Sequence, residues 1–102
     1  MSSRPVRLSD EELRVALATL AEWRVVDGKL AREYRFRDFV EAWGFMAAAA
    51  LLVQQLDHHP EWSNVYGTVK VELVTHDARG ITANDVELAR RFEALAQRWP
   101  RA

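Results

Sequence analysis

Three histidines are the residues of this sequence best suited to proton transfer, and all three lie within nineteen positions, at His58, His59 and His76. Imidazole titrates near neutral pH, so a cluster of such rings could both accept and donate a proton. His58 and His59 directly precede Pro60, whereas His76 precedes a turn-like segment, 77–80. If the two segments meet in space, three imidazoles line one pocket. The spacing therefore predicts a site for acid–base chemistry.

The same histidines could also serve the fold or bind a metal. Two adjacent histidines at a helix end often cap carbonyl groups or face solvent. Three neutral imidazoles could instead hold a zinc ion with one open position, although adjacent side chains diverge and no His-x-x-x-His spacing is present. Ser63 lies near the histidine pair, but no nucleophile-elbow pattern surrounds it.

The composition favours one folded, soluble domain. Of the 102 residues, 49% are hydrophobic and 28% are charged, which is typical of a globular chain. The net charge of −1 gives no electrostatic footprint for nucleic acid. There is no cysteine, so thiolate and disulfide chemistry are excluded. The most apolar run, 45–53, is too short to cross a bilayer, and the N-terminus lacks a signal-peptide pattern. We therefore expect a cytoplasmic protein with no nucleic-acid or membrane partner.

The first half of the chain predicts a helix, a hairpin and a second helix. Ser9 and Glu12 have the spacing of a capping box, which opens a first helix of about three turns ending near Leu20. Two strands, 23–26 and 30–36, follow around a tight turn at 27–28. Asp38 then caps a long helix that must end before Pro60. We predict that this helix turns one apolar stripe inward, formed by Phe39, Trp43, Met46, Ala50 and Val53 and widened by Ala42, Ala49 and Leu56.

The second half predicts two more strands and a last helix. The strands span 62–65 and 67–75, and apolar residues alternate with polar ones in the second. Thr82 and Asp85 form another capping box. The residues expected to face inward from the last helix are Val86, Ala89, Phe92, Leu95, Ala96 and Trp99. The order α-β-β-α-β-β-α predicts a single α+β domain over residues 1–102, with a four-stranded antiparallel sheet and three helices on one face. Residues 1–6 are expected to be disordered.

Three further residues could support a ligand site, and each could equally have an ordinary structural role. Trp62 and Tyr66 could stack on a flat ring, although aromatic residues on a sheet usually serve packing. Asp85 caps its own helix, and the same carboxylate could also orient a histidine.

The segment from Leu56 to Ala89, LDHHPEWSNVYGTVKVELVTHDARGITANDVELA, resembles the pterin-4a-carbinolamine dehydratases. The resemblance extends over most of the chain, from Trp23 to Phe92. The matching signature residues are His58, His59, Pro60, Tyr66, His76 and Asp85. The resemblance implies an antiparallel α+β fold, which agrees with the order of elements predicted above.

The resemblance also implies a reaction, in which 4a-hydroxytetrahydropterin loses water to give quinonoid dihydropterin during recycling of a tetrahydrobiopterin-type cofactor. His58 and His76 are then candidates for protonating the leaving oxygen, and His59 for contacting the ligand or acting as the base. No metal or organic cofactor is implied. The residues expected to bind substrate or support the site are Gln54, Pro60, Trp62, Tyr66 and Asp85.

One position departs from the family pattern. Gln54 stands where the family often has an acidic residue, and an amide can form hydrogen bonds but cannot ionise. The alternative to an enzyme is therefore a catalytically weak module of the same fold that serves dimerisation or assembly. Apart from the pterin, the partner that the resemblance implies is the chain itself, as a homodimer or homotetramer.

Overall fold

The structure, a computed structural model, describes residues 5–99. Residues 1–4 of the segment expected to be disordered lie outside the described residues. The elements are α1 (Asp10–Leu17), β1 (Arg24–Val26), β2 (Lys29–Arg35), α2 (Phe39–Leu56), β3 (Glu61–Val65), β4 (Thr68–Leu73) and α3 (Ala83–Ala96), with a short 3₁₀ turn at His76–Ala78. This order confirms the predicted α+β fold.

The four strands form one antiparallel sheet in the order β1-β2-β4-β3. The β1–β2 turn is made by Asp27 and Gly28, both with positive φ, 51° and 76°, as a two-residue hairpin turn requires. Alternate strand residues are buried against the helices, as the period of two predicts. On β2 and β4 these buried residues are Leu30, Tyr34, Val69, Val71 and Leu73.

The predicted inward face of α2 is wrong in part. Phe39 and Trp43 are about half exposed, at 48% and 49%, and Ala50 is also exposed. The residues that α2 buries are Ala42, Phe45, Met46, Ala49 and Val53. The helix is apolar on nearly every side and contains four consecutive alanines, 47–50, so the sequence pattern has no polar stripe that would fix the outward face.

Helix α1 is shorter than the predicted three turns and ends at Leu17. The Thr19 hydroxyl donates to the Ala16 carbonyl at 3.0 Å, a local bond that competes with helix continuation. Two tight turns follow, in which the Leu20 amide donates to Leu17 and the Trp23 amide donates to Leu20. They place Leu20 and Trp23 in the core.

Helix α3 carries the candidate site residue Asp85, and hydrogen bonds fix both ends of the helix. Thr82 and Asp85 form the predicted capping box at its start. Towards its other end, one Glu93 oxygen accepts hydrogen bonds from Trp23 Nε1, Arg32 Nε and Tyr34 Oη, each at 2.8 Å. Burial alone would raise the pKa of Glu93, but these donors together lower it. The network ties α3 to the β1–β2 hairpin.

Candidate active site

His58 is presented by the end of α2. The helix closes with Asp57 in the left-handed conformation, φ 51°. The Asp57 amide donates to the Gln54 carbonyl, and the His58 amide donates to the Val53 carbonyl, both at 3.2 Å. This pair of bonds is a Schellman-type ending, and Pro60 prevents the helix from continuing. The His58 ring is held close to the protein, since its side chain is 13% exposed.

A fully buried carboxylate contacts the His58 ring. Asp85 Oδ1 lies 2.5 Å from His58 Nε2, and no part of the Asp85 side chain reaches solvent. Its other oxygen, Oδ2, accepts from the Thr82 amide and the Thr75 hydroxyl, both at 2.8 Å. A buried carboxylate is costly unless hydrogen-bonded, and here hydrogen-bond partners from three segments surround it. Asp85 thus joins the end of α2 to the start of α3 and the segment after β4.

His76 has different surroundings. It begins the 3₁₀ turn that follows β4, and its side chain is 79% exposed. Nε2 lies 3.4 Å from Oε2 of Glu61, the first residue of β3. The other Glu61 oxygen accepts from Lys29 Nζ at 2.6 Å. The Lys29 hydrogen bond lowers the pKa of Glu61, a smaller desolvation effect opposes it, and His76 adds a minor lowering.

Two contacts therefore connect the segments that carry the histidines. Thr75 reaches Asp85, which contacts His58, and the next residue, His76, reaches Glu61, three residues after His58. His59 lies between the two contacts along the chain. It is exposed, and its side chain forms no hydrogen bond within residues 5–99.

The other predicted site residues are not all close to the histidines. Gln54 is exposed near the end of α2. Trp62 packs inward, stacked on Phe92 with ring centres 6.1 Å apart. Tyr66 is 67% exposed in the β3–β4 turn, six residues and roughly 20 Å along the extended chain from Pro60. Within one chain Tyr66 therefore lies at the opposite end of β3 from the histidines.

The sequence interpretation missed Glu61 and the role of Thr75. A signal for Thr75 was available, because continuing the alternation of Val69, Val71 and Leu73 puts Thr75 on the inner face. It is buried there, with 6% exposure, and a buried hydroxyl needs a partner. Glu61 gave no comparable signal, because a glutamate at the start of a strand is ordinary.

A concavity of about 700 Å³ lies on the sheet face opposite the helices. Its lining includes Glu61, Ser63, Lys70 and Glu72, which alternate with the half-buried residues of β3 and the buried residues of β4. Glu61 lines this concavity and also contacts His76. Among residues 5–99 there is no group of three or more His, Asp or Glu side chains that could hold a metal ion.

Comparison with known proteins gives consistent matches. Residues 6–95 match the family model described as Pterin 4 alpha carbinolamine dehydratase. A protein of Solibacter usitatus, provisionally named a pterin-4-alpha-carbinolamine dehydratase, is 52% identical over 90 residues, which cover 88% of this chain and 95% of that protein. A protein of Afipia carboxidovorans with the same provisional name is 54% identical over 94 residues, covering 90% and 94%.

The fold also matches a solved structure. A crystal structure from Brucella melitensis, described as a transcriptional coactivator/pterin dehydratase, superposes with a TM-score of 0.85. The two sequences are 47% identical, and the match covers 88% of this chain and 98% of the other.

Proposed function

Because the chain belongs to the pterin 4 alpha carbinolamine dehydratase family, whose members are dehydratases by name, we propose that it removes water from a 4a-hydroxytetrahydropterin by histidine acid–base catalysis. The products are quinonoid dihydropterin and water. The observation that carries the proposal is the His58–Asp85 contact at 2.5 Å, because it joins a histidine to a buried carboxylate at the end of a rigid helix. Supporting groups of this kind hold an imidazole in one orientation.

The reaction breaks the C4a–O bond and removes the proton on N5 of the pterin. The hydroxyl leaves as water only if it gains a proton, and His58 and His76 are the proposed donors. His59, the exposed ring between them, is the proposed base or ligand contact. Positioned proton transfer is typically worth about 10²–10⁴-fold in rate. When charge develops on the His58 ring, the buried Asp85 carboxylate lies where it compensates that charge.

The test is a stopped-flow assay with freshly generated 4a-hydroxytetrahydropterin. We expect the wild-type protein to accelerate dehydration and His58→Ala and His76→Ala to reduce the rate by about 10²–10⁴-fold, with an unchanged circular dichroism spectrum. If both variants dehydrate the substrate at the wild-type rate, the assignment is wrong.

Gln54 offers a second test. An acidic residue here would add a group able to accept a proton or a hydrogen bond beside the histidine segment, so Gln54→Glu is expected to raise the rate. Its neighbour Gln55 is also exposed on α2, which makes Gln55→Glu the matched control with no expected change. An unaltered rate in Gln54→Glu would remove Gln54 from the proposed substrate site.

The biological setting is part of the same proposal. Quinonoid dihydropterin is an oxidised form, and reducing it regenerates a tetrahydropterin, so the enzyme would act in recycling a tetrahydrobiopterin-type cofactor. A cytoplasmic location is compatible with a chain that has no cysteine, and cell fractionation tests it.

We also propose that the chain forms a homo-oligomer through the outer face of α2. Val40 and Leu51 are 76% and 73% exposed, and Phe39 and Trp43 about half exposed, which leaves an unusually apolar surface for a monomer. The helix has the length and mean hydropathy, 1.4, of a membrane span. However, five of its residues form part of the core, and inserting it in a bilayer would break that core. A second copy is therefore the proposed cover.

Analytical ultracentrifugation tests this surface. Val40→Glu and Leu51→Glu together should shift the protein towards monomer, whereas Val15→Glu, at a position 59% exposed on α1, should leave the mass unchanged. A wild-type protein that sediments as a monomer at all concentrations would contradict the proposal.

A second candidate function is an assembly module without useful catalysis. The exposed α2 surface and Gln54 favour it, and the Brucella relative is described as a coactivator as well as a dehydratase. The stopped-flow assay separates the two functions, because a module would give no histidine-dependent acceleration.

A further inference from the structure

The carboxylate beside His58 is supported by a pair of buried threonine hydroxyls. Thr75 and Thr82 are 6% and 1% exposed, and their Oγ1 atoms lie 2.7 Å apart. Thr75 follows β4 and is fixed by a bridge to Gly80, whereas Thr82 caps α3. The two hydroxyls therefore come from different segments and meet behind Asp85.

With Asp85 ionised, the hydrogen bonds of this cluster have only one consistent set of directions. An ionised carboxylate only accepts, and each hydroxyl has a single proton. The Thr75 proton goes to Asp85 Oδ2, so the proton between the two hydroxyls must come from Thr82. The Thr82 oxygen in turn accepts from the Asn84 amide at 3.2 Å. The cluster is thus a directed chain from Thr82 to Thr75 to Asp85.

This series of hydrogen bonds gives each oxygen of the Asp85 carboxylate a separate role. Oδ2 already accepts from the Thr75 hydroxyl and the Thr82 amide, and among residues 5–99 Oδ1 contacts only His58 Nε2. Because Oδ1 is an acceptor, His58 Nε2 must carry a proton. Nδ1 is then the nitrogen that remains, and it has no hydrogen-bond partner within residues 5–99.

We infer that Thr75 is a positioning residue, which fixes the Asp85 carboxylate so that His58 is held as the Nε2–H tautomer and exchanges protons with the substrate through Nδ1. The catalytic part of this inference rests on the proposed dehydratase function. The capping box itself needs only Thr82 and Asp85, and valine would fill the Thr75 position with nearly the same shape. The Thr75 hydroxyl therefore adds orientation rather than helix capping.

The first measurement needs no substrate and is made on the wild-type protein, with one variant used only to assign the signals. Ring ¹⁵N chemical shifts of His58, assigned with His58→Gln and recorded at alkaline pH where imidazoles are neutral, distinguish the two tautomers. We expect the Nε2–H pattern in the ligand-free protein. An Nδ1–H pattern would overturn the inference regardless of any activity.

The second measurement removes the hydroxyl. Without the Thr75 donor the carboxylate loses one of the bonds that fix its rotation, so Thr75→Val should give averaged His58 ring shifts. It should also lower kcat by about tenfold, equivalent to about 1.4 kcal/mol of barrier, with KM little changed. Thr75→Ser, which restores the hydroxyl, should recover both. Thr68→Val on β4, where the hydroxyl has no hydrogen-bond partner within residues 5–99, is the matched control and should change neither.

The outcomes separate this inference from the proposed function. Wild-type shifts and wild-type kcat in Thr75→Val would show that Thr75 does not position His58. If the wild-type protein has no dehydratase activity, the function fails, but the tautomer and its loss in Thr75→Val still decide whether Thr75 positions the ring. Should Thr75→Val not fold, Thr75→Ala replaces it and the wild-type tautomer remains decisive.

Discussion

The same pair of groups, a histidine and a carboxylate, occurs twice in this protein in opposite surroundings. Asp85 beside His58 is fully buried and held by hydrogen bonds to three residues, His58, Thr75 and Thr82. Glu61 beside His76 is 42% exposed, and its partner ring is 79% exposed. The first pair has little freedom to rearrange, whereas the second has solvent-filled space in which to do so. A rigid pair suits a catalytic group that must be oriented before the substrate binds. An exposed pair suits a group that moves towards the substrate after it binds.

The largest expected effect comes from neutralising each carboxylate without changing the size of its side chain. Asp85→Asn places an amide among buried donors, so at least one donor loses its acceptor and the α3 cap is weakened. We expect the free energy of unfolding to fall by about 2–4 kcal/mol, the sum of one unpaired buried group and a lost cap. The dehydration rate should fall as well. Urea denaturation and the stopped-flow assay measure the two effects.

Glu61→Gln is the comparison variant. The Glu61 side chain is 42% exposed, so solvent can compensate for the lost charge, and we expect a much smaller change in unfolding free energy than for Asp85→Asn. Equal losses of stability in the two variants would show that the exposed pair contributes to the fold as much as the buried one, and the distinction between rigid and adjustable pairs would fail.

The next largest effect concerns the histidines themselves. His58→Ala leaves Asp85 Oδ1 buried without a donor, which should cost about 1–3 kcal/mol of unfolding free energy. His76→Ala removes an exposed ring and should leave the denaturation midpoint nearly unchanged. The two variants should therefore differ in stability even though both are expected to lose activity. If His58→Ala proves as stable as His76→Ala, water replaces the missing donor to Asp85.

Much of the fold follows from local patterns in the sequence. The capping boxes at Ser9 and Thr82 and the alternation along β4 each depend on residues a few positions apart, and all three are present in the structure. The inward face of α2 does not follow, because Phe39 and Phe45 are equally apolar and only the position of the sheet decides which one is buried.

The candidate site is harder to predict from the sequence, because it too depends on contacts between distant parts of the chain. The spacing of His58, His59 and His76 suggests proton chemistry, but the difference in their exposure arises from contacts across long stretches of chain. Asp85 lies 27 residues after His58, and no local pattern reports that contact. The capping box predicted a helix start and left open whether the same carboxylate reaches a histidine.

The smallest predicted effect is a shift in how Glu61 titrates. Its pKa is lowered from the usual 4.5, first by the hydrogen bond from Lys29 and only slightly by His76, so Lys29→Met should move the carboxyl midpoint up towards 4.5 and His76→Ala should move it less. A lowered pKa in the folded state means that the Glu61 contribution to stability is present above the unfolded value and lost as pH falls through the folded one. The pKa of Lys29 is raised by the same bond, so the pair also loses its contribution to stability when pH rises through the raised Lys29 pKa of the folded protein.

A carboxyl-detected NMR titration measures the Glu61 midpoints in the wild-type protein and the two variants. A larger shift in His76→Ala than in Lys29→Met would make Glu61 primarily a partner of the histidine, and the exposed pair would then resemble the buried one more closely than its solvent exposure indicates.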